Sequence, residues 1–478
     1  MKIVFVSPEL APLAKVGGLA DVASSLPRAL QRLGHEVVVI APRYGSIDGE
    51  RYRLRPSSVA VEVPMDGALR RAALAKARVN GVTTYFVESP EYFDGRGVYG
   101  DDGVDYADNA FRFAFFTRAA LAASRALELD PDVYHVHDWQ TALLPIYQSE
   151  EAVPPVPTVL TVHNLAYQGI FPSDWLSRLD LPRQLFHIDG LEFYGQLSFL
   201  KGGLVTADRL ATVSPSYARE IQTEELGAGL DGVVRSRASR LSGILNGIEP
   251  RDWHPAKDEA LAANYTSTRL AGKLRGKHAL QRELGLRASG RTPILAAVGR
   301  LDAQKGFDVL LEAAPALLSS GRAQLVVLGS GNEELLDAFR RLEARFTQEV
   351  SVNRGFQDVL GRRIYAGADL FLMPSRYEPC GLGQMIALRY GTLPVVRATG
   401  GLADTIRDLD VDPDGGNGFS FDEYSAVGLT AAVRRALRHY VDEKKWALLV
   451  RRAMRQDFTW KRSAAEYVHV YEKALIQS

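Results

Sequence analysis

Residues 369–405, DLFLMPSRYEPCGLGQMIALRYGTLPVVRATGGLADT, constrain the fold of this chain more than any other stretch. An apolar run over 369–373 stops at Pro374, and a turn carrying Glu378 and Cys380 follows. The pattern then predicts a short amphipathic helix over 383–389, a buried strand over 393–396 and a glycine turn at Gly400-Gly401. Strand, loop, helix, strand and glycine-rich loop is how an open α/β sheet builds a ligand site, because strand ends and helix N-termini converge on one crevice. The stretch therefore reads as half of a binding cleft.

The same rhythm occurs twice. In the first half, the β-branched run 2–6 (KIVFV) predicts a strand buried on both faces. It leads through Lys15-Val16-Gly17-Gly18 into a helix over 19–33, where Leu19, Val22, Ala23, Leu26, Leu30 and Leu33 recur at helical spacing before Gly34. A second strand at 37–40 completes a βαβ unit with glycines at the loop-to-helix junction, where bare N–H groups can hold a phosphate or a sugar hydroxyl. Residues 50–90 alternate only weakly and predict irregular β structure and loops. A helix is expected over 109–127. Strands are expected over 132–136, ending in His137-Asp138-Trp139, over 158–162, ending in His163-Asn164, and at 210–213 and 243–245, the last before Asn246-Gly247. Polar clusters just past strand ends face the crevice of an open parallel sheet.

From 249 to about 290 the chain turns polar, with Pro250 and Pro255, and a linker is expected at its start. The second half restarts with strands at 294–298, 325–328 and 350–353 and helices at 307–318, 333–346 and 360–366 before the opening stretch. Helical spacing of apolar residues closes the chain over 426–440, 444–455 and 463–475. The expectation is an α/β protein with two parallel sheets, each flanked by helices.

Composition narrows the class of function. The 478 residues are enough for two domains of about 200 residues each. Lys plus Arg and Asp plus Glu both number 57, so nothing global attracts nucleic acid or an anionic membrane. The single cysteine, Cys380, excludes an intrachain disulfide and fits a reducing compartment. The first apolar run is only four residues long and no run reaches a membrane span, so a cytoplasmic protein is expected.

Each chemical motif has an ordinary structural alternative. Arg300 and Lys305 bracket a loop between a strand and a helix, a place for a diphosphate, or a solvated surface loop. Glu378 could accept hydrogen bonds from sugar hydroxyls, or cap a helix. Cys380 reads as a structural thiol, since no base adjoins it in sequence. His163 alone reads as a satisfied core histidine. His135 and His137 share a strand face, but no third ligand follows at zinc-like spacing, so no metal site is expected. Gly227, Gly229 and Gly232 match G-x-G-x-x-G but follow a helical stretch and not a strand. Asp410, Asp412 and Asp414-Gly415 open like an EF-hand, yet the twelfth position is Phe421.

Eight motifs in order carry a resemblance that runs over essentially the whole chain: KVGGLADV (15–22), HVHDWQTALLP (135–145), TVHNLAYQGIFP (161–172), TVSPSYAREI (212–221), GILNGIE (243–249), RLDAQKG (300–306), PSRYEPCGLGQM (374–385) and TGGLADT (399–405). With them the chain resembles bacterial glycogen synthases and plant starch synthases, retaining glucosyltransferases built from two facing Rossmann-like domains, the GT-B arrangement. The resemblance implies an acceptor-side domain over 1–248, joined by the C-terminal helix 457–478, and a nucleotide-sugar domain over 249–456.

It also implies roles. Lys15 would bind the nucleotide sugar, with Gly18 near the diphosphate and Asp21 ordering the loop. Arg300 and Lys305 would bind the donor phosphates. His163, Asn246, Glu378, Cys380, Gly381 and Leu382 would surround the transferred glucose, with Asp138 at its acceptor-side edge. Tyr99 and Phe356 would neighbour the adenine, and Gly17, Asn164, Thr399 and Gly400 complete the substrate-binding set. The implied partners are a nucleotide sugar and an α-1,4-glucan, with no cofactor and no metal. Departures are small: NGIEPRDWHP where NGID and WNP are usual, GRL for SRL, and Phe356 for a common tyrosine. Another GT-B transferase, of the sucrose or trehalose-phosphate synthase type, and a non-catalytic glycan-binding protein remain the alternatives, and the choice between ADP-glucose and UDP-glucose stays open.

Overall fold

The computed structural model describes residues 1–101, 103–150, 155–319, 321 and 323–476; the last two residues of the helix expected over 457–478 lie outside it. The chain forms two compact units, residues 1–247 with 460–478, and residues 248–459.

The N-terminal unit is built on a sheet of nine described strands: β1 (Lys2–Val6), β2 (Glu36–Pro42), β3 (Arg55–Met65), β4 (Ala68–Val79), β5 (Val82–Glu88), β6 (Val133–His137), β7 (Thr158–Val162), β8 (Arg209–Thr212) and β9 (Leu241–Gly243), in the order β9-β8-β7-β6-β1-β2-β5-β4-β3. Every neighbouring pair from β9 to β5 is parallel, whereas β4 and β3 run antiparallel at the edge. Ile3, Val4, Phe5 and Val6 have 0% exposure, as the continuous apolar run requires of a central strand covered on both faces. Burying such side chains contributes roughly 1.5–3 kcal/mol each. The order reverses between β1 and β6, so the loops after those strands diverge and leave a crevice at their carboxyl ends. The helix Gly18–Arg32 turns Leu19, Val22, Ala23, Leu26 and Leu30 inward. Trp460–Ile476 packs on it and places Tyr467 and Tyr471 beside the strand-borne His135.

Two expectations need correction. Residues 50–90 are more regular than expected, with three long strands, β3 to β5, paired antiparallel over most of their length. Only one face of β3 is covered, so Val61, Val63 and Met65 alternate with exposed neighbours, and Pro56 sits where the register shifts. The last strand lies at Leu241–Gly243 and not at 243–245, and Ile244 to Asn246 form the turn beyond it.

The C-terminal unit has a six-stranded parallel sheet, β10 (Ile294–Leu301), β11 (Gln324–Gly331), β12 (Val350–Arg354), β13 (Leu370–Met373), β14 (Leu393–Arg397) and β15 (Phe419–Phe421), in the order β12-β11-β10-β13-β14-β15. The helices Phe307–Leu318, Glu333–Arg345, Asp358–Gly367, Gly383–Arg389 and Ala426–Tyr440 connect or flank these strands. The reversal here falls between β10 and β13, which places the 300–306 loop beside the 374–383 turn. The polar segment after residue 249 is part of this unit: its helix Ala271–Glu283 buries Lys273, whose Nζ donates to the carbonyls of Ala366, Ala368 and Tyr390 and to Thr392 Oγ1 at 2.9–3.1 Å.

Candidate active site

In the N-terminal unit, the loop after β1 is organised by Glu9. Its carboxylate Oε2 accepts from the backbone N–H of Val16 at 2.8 Å and of Gly17 at 2.9 Å, while Oε1 accepts from the Tyr99 hydroxyl at 2.6 Å. Tyr99, expected beside the adenine, supports this loop through that hydroxyl. It is held in turn by Arg112, a fully buried guanidinium that donates to the carbonyls of Tyr92, Val98 and Gly97. Lys15 Nζ meets Asp21 Oδ1 at 2.8 Å on a half-exposed surface. A Cβ added at Gly17 or Gly18 would meet no atom within 4 Å, so the fold leaves open space over this backbone.

Beside β1 in the sheet, the polar ends of β6 and β7 meet. Asp138 has a left-handed backbone, φ 52°, and its Oδ1 accepts from the His163 N–H at 2.6 Å. Burial, reinforced by the nearby Glu9 charge and opposed by the backbone N–H of His163 and Asn164, pushes the Asp138 carboxyl up to about 7. Burial likewise brings the His163 imidazole down to about 3, so the ring is neutral at physiological pH. His163 Nε2 lies 3.2 Å from His137 Nδ1. His135 is satisfied on both nitrogens, by Tyr471 and by Thr161, as a core histidine should be. Asn164 caps a local turn by accepting from the Ala166 N–H. Asn246, beyond β9, is 6% exposed, and its buried Oδ1 has no partner among the described residues. An orphaned buried acceptor is costly and is what a ligand donor would satisfy.

In the C-terminal unit, the turn after β13 and the loop after β10 close on one ion pair. Lys305 Nζ donates to both oxygens of Glu378, at 2.8 and 2.7 Å, and Ser375 Oγ donates to the same carboxylate at 3.1 Å. The Glu378 side chain is 5% exposed and that of Lys305 27%, so the acid is buried and the cation reaches the surface. Arg300 pairs with Asp302 at 2.9 Å and donates to Gln304, with its guanidinium half-exposed. Lys305, Gly306, Glu378, Gly381 and Leu382 line a cavity of about 140 Å³. Gly306 and Gly400, at φ 73° and 46°, let the backbones cross: a Cβ would strike the carbonyl oxygen of Pro374 at the first and of Glu378 at the second. Thr399 is buried just before the helix Gly400–Thr405, and Cys380 is buried with its carbonyl held by Gln384. Phe356 stands outside this cluster, 86% exposed on the loop after the edge strand β12. Among the described residues no group of His, Cys, Asp or Glu is arranged to hold a metal ion.

Glu9, Arg112 and Ser375 are side chains that build these sites without having been singled out in the sequence. An acid eight residues upstream of Gly17 was the one visible signal for Glu9. Its partner Tyr99 lies 90 residues on, beyond any local pattern.

Residues 2–236 match the family of starch synthase catalytic domains, and residues 285–449 match glycosyl transferases group 1. The chain is 50% identical over 477 residues to the glycogen synthase of Anaeromyxobacter dehalogenans strain 2CP-C, covering 98% of this chain and 99% of that one. It is 47% identical over 480 residues to that of Syntrophotalea carbinolica, with 99% of each covered. Among solved structures, the catalytic domain of starch synthase IV from Arabidopsis thaliana, bound to ADP and acarbose, superposes with a TM-score of 0.92 at 36% identity over 99% of both chains. A sucrose-phosphate synthase from Thermosynechococcus elongatus shares the fold alone, with a TM-score of 0.62 at 16% identity over the full length of both chains. The chain belongs to the glycogen and starch synthase family of GT-B glycosyltransferases.

Proposed function

We propose that this enzyme transfers glucose from ADP-glucose to the non-reducing end of an α-1,4-glucan with retention of configuration, releasing ADP. The observation that carries the reading is the buried Glu378 held by Lys305 at the reversal of the C-terminal sheet, beside the Arg300 loop. The names of the relatives, glycogen synthase, and the ADP and acarbose bound by the Arabidopsis enzyme support the same donor and acceptor. Likeness to the sucrose-phosphate synthase stops at the fold, so the alternative transferases have no such support.

Breaking the glucosyl–phosphate bond develops positive charge on the sugar and negative charge on departing ADP. Cations fixed on the diphosphate therefore stabilise the transition state more than the ground state. Arg300 and Lys305 serve that role in the C-terminal unit; in the N-terminal unit, Lys15 and the open Gly17-Gly18 backbone offer a cation and an uncovered helix start of the kind that binds a nucleotide sugar. These cations can carry the charge without a metal. Glu378 already accepts three hydrogen bonds and, as a carboxylate with about four acceptor positions, keeps room for a sugar hydroxyl. The neutral His163, the unsatisfied Asn246 Oδ1 and Asp138 are polar groups of the kind that bind hydroxyls. Retention is what the family resemblance implies, and the sequence shows no obvious pair of acid and nucleophile as in glycosidases.

The reading extends to a cytoplasmic enzyme, with which the lone buried cysteine is compatible. No described helix is long and apolar enough to cross a membrane. Incubation with ADP-glucose and glycogen tests the function: ADP release matched by glucan extension is expected, and absence of both would reject it. UDP-glucose offered in competition distinguishes the donors, with ADP-glucose expected to be preferred.

A further inference from the structure

His137 lies at the end of β6 with 0% exposure, packed beside Phe5 and His135, whose rings also touch each other and incline to it by 30° and 36°. Its Nδ1 is 3.2 Å from His163 Nε2, and its own Nε2 is buried with no hydrogen-bond partner among the described residues. Both rings are neutral, burial holding each well below the ordinary histidine range. Each therefore carries one hydrogen, and of two neutral imidazoles sharing an N···N contact one donates and the other accepts.

Two arrangements are possible. If His163 donated from Nε2 to His137 Nδ1, the hydrogen of His137 would sit on its orphaned Nε2, as a buried donor with nothing to receive it. The rings packed on His137 stand at 30° and 36° to it and not near 90°, so neither is in the edge-to-face arrangement that would receive that N–H on a π face. If His137 donates from Nδ1, the orphan is only an unprotonated acceptor, and unsatisfied acceptors are tolerated in protein interiors better than unsatisfied N–H groups. The second arrangement leaves His163 Nε2 occupied as an acceptor and puts its single hydrogen on Nδ1.

We infer that His137 is a positioning residue for the transferase: by donating to His163 Nε2 it fixes His163 as the Nδ1–H tautomer, so that His163 offers the transferred sugar a hydrogen-bond donor. This rests on the assignment of His163 to the glucose site. It gives a reason for a second histidine in HVHD, where His135 is already satisfied by Tyr471 and Thr161. The second-site control of a catalytic ring's tautomer is a recognised device, since the partner of one ring nitrogen sets the state of the other.

Nitrogen-15 NMR of the histidine-labelled full chain reads the tautomer directly, with His163 assigned by its disappearance in His163→Ala. A protonated Nδ1 and an unprotonated Nε2 on His163 are expected; the reverse pattern overturns the inference, whatever the enzyme transfers. Kinetics give a second reading. His137→Phe keeps the ring and removes the donor, and kcat is expected to fall by about tenfold, the worth of one well-placed hydrogen bond. His137→Asn, which returns an amide donor near the Nδ1 position, should recover most of that loss. In a His163→Ala background His137→Phe should cost nothing further, whereas an undiminished further loss would show that His137 acts by some other route. If the wild type releases no ADP, the functional reading fails, and the NMR result still decides the tautomer.

Discussion

The carboxyl ends of the two sheets carry opposite electrostatics. At β6 and β7 the titratable groups are driven toward neutrality by burial: His163 down to about 3, His137 and His135 well below the ordinary range, and Asp138 up to about 7. At β10 and β13 burial is met by pairing, with Glu378 held in a two-oxygen contact by Lys305 and Arg300 set against Asp302. The same topology thus produces a cluster of neutral donors and acceptors in one unit and a charged cluster in the other. Neutral groups can meet sugar hydroxyls without giving up a counter-ion, and in the charged cluster Glu378 keeps acceptor room for a hydroxyl beside its pairing with Lys305. Fixed cations suit a diphosphate leaving group.

The largest test of that contrast is Lys305→Ala. Transfer should fall on the order of 10² to 10³ in kcat if the ammonium supports the leaving group. The substitution also strands the buried Glu378, so a loss of up to about 3 kcal/mol in stability is expected from denaturant unfolding. A variant that keeps wild-type kcat would return the loop to an ordinary surface role.

The glycines sharpen the comparison. Gly400→Ala places a Cβ against the Glu378 carbonyl at φ 46°, and should destabilise by about 3 kcal/mol or more. Gly17→Ala meets nothing within 4 Å and should cost under about 0.5 kcal/mol, while lowering kcat/KM for the donor by roughly tenfold because the new methyl occupies ligand space. Thermal unfolding with donor kinetics checks both, and a Gly17→Ala enzyme with unchanged kinetics would mean that no ligand approaches that backbone.

Asp138 gives the smallest and most specific effect. Its carboxyl binds a proton more tightly folded, near pH 7, than unfolded, near the ordinary 3.8. Its contribution to stability is therefore complete at pH below the unfolded value and is lost as pH rises toward 7. Asp138→Asn retains an acceptor for the His163 N–H and removes this loss, so the variant should gain stability relative to wild type between pH 5 and pH 8. A difference in melting temperature that stays constant over that range would contradict the raised carboxyl.

The parallel strands were legible because a strand covered on both faces must be apolar throughout, as in KIVFV, TVLTV and ILAAV, and the helix over 307–318 has the observed bounds. The antiparallel strands β3 and β4 were not, since one solvated face filled with Arg, Glu and Ala dilutes the alternation. The three-residue β15 is too short to leave a pattern. Within the site, residues at strand ends such as His163 and Glu378 could be picked out by position. Support from Glu9, Tyr99, Arg112 and His137 depends on contacts between side chains far apart in sequence, or on tautomers, which no spacing rule encodes.

The central claim, that paired cations and neutral polar groups serve one glucosyl transfer, is tested most directly by following ADP-glucose with glycogen in the presence of a strong chelator. One ADP per glucose added, new α-linked anomeric signals on the glucan by NMR, and a rate unchanged by the chelator are expected. Hydrolysis without glucan growth, or activity abolished by the chelator, would contradict the account.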